Sequence, residues 1–313
     1  DMLLNIPVPS SNGFSTQLRN TGEMLNTGFE FFIDANIVTG VAGGVNWDVN
    51  FSLSTLRNEV LDLGEIDRIY GFGRIYDPDK VIDGAITEPG LPLYSFYGYE
   101  VMGIWQEDDD FSQITNSVSP GDLKYRDVNG DKTINADDRV VLGNSFPDFQ
   151  GSFGTSLGFK NFSLDVFFQA ETGFSIYNQI LSASYNPPSH FRGNRLAEPL
   201  LNRWTPENPS EVYPQFDADE MDGLVSDAVQ DGSYLRLSYA TLSYNFPRTT
   251  IFRSTNIYLS AQNLFTLTNY EGYDPAMNSN GNTTFRADKG SYPLTRNFMA
   301  VSYTHLRAHE TVL

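Results

Sequence analysis

The chain has 313 residues, with 20 lysines and arginines against 39 aspartates and glutamates, which gives a formal net charge of −19. An acidic chain repels the phosphates of nucleic acids, so the composition argues against nucleic-acid binding. The absence of cysteine excludes disulfides, thiolate nucleophiles and cysteine-ligated zinc. Aromatic residues are abundant, with 17 Tyr, 23 Phe and 3 Trp, and this composition predicts an all-β fold.

The hydrophobic pattern argues against membrane helices. No stretch approaches the ~18 consecutive apolar residues that a membrane helix needs. Strands of a membrane barrel expose only alternate residues to lipid, so the pattern leaves a barrel open. The first residues, Asp-Met-Leu-Leu, do not resemble a secretory signal. We therefore expect either a cytoplasmic protein or a chain whose natural start lies upstream.

Residues 28–37 form the first predicted strand, in which apolar and polar side chains alternate. Residues 46–54 repeat the alternation with an apolar face of Trp47, Val49, Phe51 and Leu53. Alternate side chains point to opposite faces of a strand, so each of these strands has one apolar and one polar face. The glycine-rich residues 39–44 between them predict a hairpin. Residues 94–105 form a further single predicted strand.

Residues 127–138 resemble an EF-hand loop, which supplies oxygen ligands to calcium from regularly spaced positions. The matching residues are Asp127, Asn129, Asp131, Thr133, Asn135 and Asp138. Two residues depart from the pattern, since Lys132 stands where the loop usually has glycine and Asp138 is shorter than the usual glutamate. We predict calcium of modest affinity, acting as a staple for an exposed loop. The alternative is an Asx-rich turn that holds no ion.

Residues 150–170 predict a second hairpin, with alternating strands on either side of a short turn at Lys160-Asn161. The connection that follows, residues 173–232, is far longer than a hairpin turn. Short turns at one end and long loops at the other are typical of an outer-membrane barrel, whereas a soluble β-sandwich also alternates. The polar positions carry Asn, Ser, Asp and Gln, which suit a wet lumen and favour the barrel.

A third predicted hairpin spans residues 233–264. Its first strand changes phase, because Leu235 and Leu237 are apolar at odd positions while Leu242 and Tyr244 continue the apolar face at even ones. A strand with a period of two residues can change phase only with an extra residue. We therefore predict a β-bulge near Ser238–Tyr239. A last strand is predicted at 294–303, which brings the total to about eight.

Several sequence blocks resemble one protein family. The longest runs from Gly121 to Asp131 and continues from Asp138 to Phe149. Further blocks follow in order: Arg203–Pro209, Gly232–Leu237, Leu242–Pro247, Ala261–Thr266, Gly272–Pro275 and Gly290–Arg296. Together these blocks resemble the SusC/RagA family of TonB-dependent outer-membrane transporters of Bacteroidetes, and the resemblance covers about residues 1–301.

The resemblance implies an antiparallel transmembrane β-barrel of about 22 strands with a plugged lumen. Residues 1–301 would be its C-terminal part, with about eight strands and long extracellular loops. The family imports oligosaccharides or peptides across the outer membrane and is not enzymatic. Its implied partners are outer-membrane lipid, a SusD-like surface lipoprotein, and TonB through a region upstream of this chain. Eight strands leave two unpaired edges, so we expect no insertion or transport by these residues alone.

Residues 302–313 do not fit the family pattern, in which the last strand alternates and ends on an aromatic residue. Two of the three histidines lie in this segment, His305 and His309. The segment resembles translated sequencing-adapter readthrough, so we expect a non-native tail. The alternative is a genuine short extension.

Five aromatic residues in the predicted loops are candidate substrate contacts, because aromatic rings stack on sugar faces: Tyr94, Phe96, Tyr97, Phe191 and Trp204. The alternative for each ring is packing within its own loop.

Two other functions are kept open. One is a secreted, calcium-stabilised β domain for binding or adhesion, and the other is a glycosidase that uses two carboxylates. Both require a soluble protein with its apolar strand faces inside. An outward belt formed by Trp47, Phe51, Phe162 and Phe168 would argue against both.

Overall fold

A computed structural model describes most of the chain: residues 2–7, 13, 16–41, 44–71, 84–185, 196–216, 218, 221, 223–249, 252–276 and 285–306. Within these ranges, no helix is both long enough and apolar enough to cross a membrane.

Strands dominate the described residues, with two short helices, α1 (Gln179–Tyr185) and α2 (Ala197–Leu201). In chain order the strands are β1 (Met2–Pro7), β2 (Thr16–Thr27), β3 (Glu30–Val41), β4 (Val45–Thr55), β5 (Arg57–Asp62), β6 (Ile69–Gly71), β7 (Ala85–Thr87), β8 (Ser95–Tyr99), β9 (Val101–Ile104), β10 (Leu123–Tyr125), β11 (Val140–Gly143), β12 (Phe149–Phe159), β13 (Phe162–Thr172), β14 (Ser175–Asn178), β15 (Leu224–Val225), β16 (Val229–Asp231), β17 (Tyr234–Phe246), β18 (Phe252–Thr268), β19 (Ala287–Asp288) and β20 (Asn297–Leu306). Three single 3₁₀ turns span Phe111–Gln113, Ala136–Asp138 and Ser226–Ala228.

The largest sheet, here called the wall, has seven strands in the order β20-β18-β17-β13-β12-β4-β3. Every neighbouring pair in the wall is antiparallel. A smaller sheet, β1-β2-β5, continues the β3–β4 hairpin beyond Gly28. The all-β, antiparallel class expected from the alternation is therefore confirmed.

The two faces of the wall differ in polarity, because strand register places like residues in rows. Phe51, Phe153 and Phe168 face one another across three strands, as do Trp47, Leu157 and Leu164. The neighbouring row on the opposite face holds Ser52, Ser152 and Gln169. Many apolar side chains of the first face are exposed, and soluble monomers rarely expose contiguous apolar patches of this kind.

The predicted turn and bulge both occur in the wall. Phe159 pairs with Phe162 across Lys160, which has a φ of 55°. The register of β17 skips Ser238 against both of its neighbours, since Leu237 and Tyr239 pair with consecutive residues of β13. The bulge near Ser238–Tyr239 is therefore confirmed. Its extra residue, Ser238, keeps Leu235 and Leu242 on the same face of the wall.

Residues 94–105 form two short strands, β8 and β9, in place of the one predicted strand, and neither belongs to the wall. β8 lies in a separate sheet with β11, β7, β6 and β15, and β9 pairs with β10. All five residues of β8 are buried, so both of its faces are covered.

The long connections form a second unit, here called the cap, which comprises the described residues of 84–148, 173–232 and 269–296. All three segments leave the wall at the same end of its strands, while the opposite ends carry short turns. The cap has a hydrophobic core of its own: Ala85, Phe96, Tyr99, Ile104, Leu123, Tyr125, Ile134, Tyr177, Trp204, Leu224, Val225, Ala228, Phe285 and Ala287.

The last strand extends beyond the predicted 294–303. β20 runs to Leu306, and Ser302 to Leu306 pair with residues at the start of β18. Residues 307–313 lie outside the described residues. That 302–313 are a non-native tail stays a prediction.

Candidate functional site

The EF-hand-like loop at residues 127–138 is built from side-chain to backbone hydrogen bonds. The Asp127 carboxylate accepts the N–H groups of Gly130 at 2.7 Å and Lys132 at 2.8 Å. Asn129 Oδ1 accepts the N–H of Asp131, and Asp131 Oδ1 accepts that of Thr133, at 2.9 and 2.7 Å. The first half of the loop is thus a series of Asx turns.

The second half of the loop is a capped 3₁₀ turn. Asn135 Oδ1 accepts the N–H of Asp137 at 2.8 Å, and Asp138 Oδ2 accepts that of Asn135 at 2.9 Å, which forms a capping box. Asp138 is fully buried, and its other oxygen accepts the N–H of Val128 at 2.9 Å. Both oxygens of Asp138 are therefore engaged by the loop itself.

The six predicted ligands lie in one loop, but their carboxylates do not converge on a common point. Among the described residues, no group of three or more Asp, Glu, His or Cys side chains is placed to hold a metal ion. Calcium at Asp127, Asn129, Asp131, Thr133, Asn135 and Asp138 stays a prediction.

Two residues outside the loop hydrogen-bond to it and hold it against the rest of the cap. The sequence pattern did not indicate these two residues. Asn116 Oδ1 accepts the N–H of Ile134 at 2.7 Å, and its Nδ2 donates to the Ile134 carbonyl at 3.0 Å. The N–H of Thr115 donates to the Lys132 carbonyl at 2.6 Å. Ile134 is buried in the cap core, so the loop is anchored by an apolar contact and a pair of amide hydrogen bonds.

The candidate substrate-contact aromatics lie mostly inside the cap. Phe96 is fully buried, with its ring 4.8 Å from that of Phe285. Trp204 is also buried, and its Nε1 donates to Gln106 Oε1 at 2.9 Å. Both rings therefore pack within the cap in this structure.

Tyr94 and Tyr97 lie nearer the cap surface. Tyr97 packs beside Tyr70 at 6.0 Å, with the guanidinium of Arg139 at 5.3 Å from its ring. Burial and the neighbouring Tyr70 raise the pKa of Tyr97, so its hydroxyl stays protonated at neutral pH. Tyr94 is half-buried and has a φ of 54°. Phe191 lies outside the described residues, and substrate contact by any of the five stays a prediction.

The polar face of the wall carries a cavity of about 630 Å³ close to the cap. Its lining mixes amides, hydroxyls, carboxylates and aromatic rings, including Phe32, Gln150, Gln169, Glu171 and Tyr234. The sequence pattern alone did not single out this set of residues, although the polar positions of the alternation were the signal that could have found them.

The chain is similar in sequence to TonB-dependent receptors. It is 33% identical over 315 residues to TonB-dependent receptor P26 of Formosa agariphila, with 95% of this chain and 30% of the relative aligned. It is 24% identical over 312 residues to TonB-dependent receptor SusC of Bacteroides thetaiotaomicron, covering 96% of this chain and 28% of that one. The chain thus spans about 30% of the length of the curated relatives it matches. No family model matches the chain.

The fold is similar to that of solved transporters. The structure of the RagAB peptide transporter aligns with a TM-score of 0.73 at 25% identity, over 96% of this chain and 32% of that chain. The RagAB peptide importer in its open-open state aligns with a TM-score of 0.74 at 24% identity, over 97% of this chain and 31% of that chain.

Proposed function

Since this chain belongs to the TonB-dependent receptors of the SusC/RagA family, we propose that its wall is part of a transmembrane barrel in the outer membrane. The whole receptor then imports a nutrient, and this chain supplies about a third of the barrel together with extracellular loops. The wall edges would pair with the remaining strands of the receptor, because lipid does not tolerate unpaired strand edges.

The observation that carries this proposal is the exposed apolar face of the wall. Trp47 is 40% exposed and Phe162 is 52% exposed on that face, which Phe51 and Phe168 share. Each large apolar side chain left in water forfeits ~1.5–3 kcal/mol of burial energy, whereas lipid removes this cost. β12 and β13 each have 11 residues, which suits the ~9–11 residues that a tilted strand needs to cross a bilayer.

The polar face then lines the lumen. Its serines, glutamines and carboxylates can contact water or a polar solute, and the cavity near Gln169 and Glu171 lies on this side. All long connections gather at one end of the wall, so the cap faces the cell exterior and the short turns face the periplasm, as in bacterial barrels.

The substrate class we propose is an oligosaccharide or a peptide, captured together with a SusD-like surface lipoprotein and released inward by TonB. The similarity to the RagAB peptide transporter supports the peptide part of this class. TonB would act through a part of the receptor upstream of this chain.

The two other functions receive no support from the fold. An adhesion domain or a glycosidase that is soluble would bury the faces that carry Trp47 and Phe162. A glycosidase also needs two carboxylates at a cleft. The buried carboxylates among the described residues each accept hydrogen bonds from their own surroundings: Asp122, Asp138, Asp274 and Asp288.

Energy-dependent uptake by the whole receptor tests the proposal. The receptor gene, recovered with its upstream part and the adjacent lipoprotein gene, is expressed in a Bacteroidetes host that lacks its own SusC-type receptors. Labelled maltooligosaccharides and a labelled peptide mixture serve as probes. We expect uptake of one probe class that disappears when TonB is deleted. Binding or uptake of neither class, or uptake that persists without TonB, would refute the proposed function.

A further inference from the structure

The cap segment that joins β18 to β20, residues 269–296, is here called the strap, and its described parts are 269–276 and 285–296. It contacts the wall through Arg236 of β17. Arg236 pairs in register with Gln169, which lies in the same row as Ser152 and Ser52. The guanidinium of Arg236 therefore extends from the polar face of the wall.

Asp274 ties both ends of the strap to this arginine. The Asp274 carboxylate forms an ion pair with the Arg236 guanidinium, and the two side chains are only 6% and 5% exposed. It also accepts the N–H of Ala276 at 3.0 Å and the N–H of Leu294 at 3.2 Å. Arg236 Nε donates in addition to Thr266 Oγ1 at 3.0 Å. Removing one partner of a buried pair leaves an uncompensated charge, so this contact resists opening.

A second ion pair joins the strap to the polar face. Arg286 donates to Glu171 at 2.8 Å, and its guanidinium lies 4.1 Å from the centre of the Phe174 ring. Glu171 pairs in register with Gln150 and Tyr234 and lines the cavity on the polar face. The strap is thus fixed to two wall strands, β13 and β17.

The strap is also stabilised by an apolar cluster and by a hydrogen bond of Tyr270. Tyr270 packs with Phe174 and Ile176 in a small apolar cluster that Tyr234 of the wall closes. The Tyr270 hydroxyl donates to Asp288 Oδ2 at 2.9 Å, and burial together with Asp288 raises the pKa of Tyr270. The hydroxyl therefore keeps its proton and its donor role at neutral pH.

We propose that the described parts of the strap, residues 269–276 and 285–296, fold inward on the lumenal side of the wall, where Arg236–Asp274 and Arg286–Glu171 fix them, and border the passage at its outer mouth. The identity of the polar face as the lumen rests on the proposed function. Tyr292, which is 79% exposed on the strap, then faces the passage and not the outside of the receptor.

Thiol labelling of the whole receptor tests this placement without requiring transport. This chain has no cysteine, so any cysteines upstream are replaced and Tyr292→Cys is labelled alone. Asp108→Cys, at an exposed position of the cap, is the matched control. We expect a small methanethiosulfonate reagent to label both positions and a bulky polyethylene-glycol maleimide to label only the control. Equal labelling of both positions by the bulky reagent, or no labelling of Tyr292→Cys by either reagent, would overturn the placement.

Breaking the buried pair tests how the strap is fixed. In the Tyr292→Cys receptor, Asp274→Asn should raise labelling by the bulky reagent about tenfold or more, because the strap loses its buried anchor. The control is Glu100→Gln, which breaks the exposed ion pair of Arg126 and Glu100 and should change nothing. If Asp274→Asn does not reach the membrane, Glu171→Gln replaces it. Unchanged labelling in a correctly inserted variant would contradict the anchor.

Discussion

Individual residues determine the backbone conformation of the loop at 127–138. Lys132 has a φ of 66°, a left-handed angle that costs a residue with a side chain ~1–2 kcal/mol, at the position where an EF-hand loop has glycine. The backbone therefore follows an EF-hand-like path although the side chain does not match. The sequence pattern located this loop. It did not indicate that Asp138 would be buried and would accept the N–H of Val128, because that arrangement depends on tertiary packing.

Calcium binding by this loop can be tested by substitution. Lys132→Gly should raise the calcium affinity of the whole receptor about three- to tenfold, because it removes a positive charge beside the carboxylates and relieves the backbone. Asp131→Asn should lower the affinity. Lys124→Gln, which removes a charge outside the loop, should leave it unchanged. Titration calorimetry with calcium chloride measures all four proteins, and no heat of binding in wild type and Lys132→Gly would contradict the site.

Elements were predictable where one strand face is apolar and the other polar. The alternation located β3, β4, β12, β13 and β17 to within a few residues, and the change of phase located the bulge. At residues 94–105 it predicted one strand and did not indicate two strands outside the wall, because β8 is buried on both faces and has no polar side. It also gave no sign of the elements inside 173–232, since these are two to seven residues long and too short to show a period.

The bulge at Ser238 can be tested by deletion. Deleting Ser238 should shift one half of β17 by a residue and move Leu235 and Leu237 to the polar face. We expect the deletion to abolish assembly of the receptor in the outer membrane. Deleting Asp108 from the exposed cap loop should be tolerated, because loops accept length changes. Heat-modifiable migration on gels separates folded from unfolded barrels, and normal assembly of the Ser238 deletion would show that the register of β17 is not fixed by this residue.

The described residues divide into a wall without a core cluster of its own and a cap with one. Sequence reasoning indicated the wall, because its faces must differ if one meets lipid and the other water. It indicated long loops at one end of the strands, but not that these loops share a core, which joins residues as distant as Phe96 and Phe285. Such contacts depend on how three long connections meet at one end of the wall. The charge of −19 and the absence of cysteine suit a chain whose polar residues lie in loops and on one strand face.

We expect the apolar face of the wall to meet lipid and the polar face to meet water. Spin labels at Leu157→Cys and Ser156→Cys, neighbours on opposite faces of β12, test it in the whole receptor in outer membranes. We expect collisions with molecular oxygen to dominate at position 157 and collisions with a water-soluble nickel chelate to dominate at position 156. Equal collision rates of the chelate with both spin labels would contradict this assignment of the two faces. Protection of the label at position 157 from both oxygen and the chelate would also contradict it.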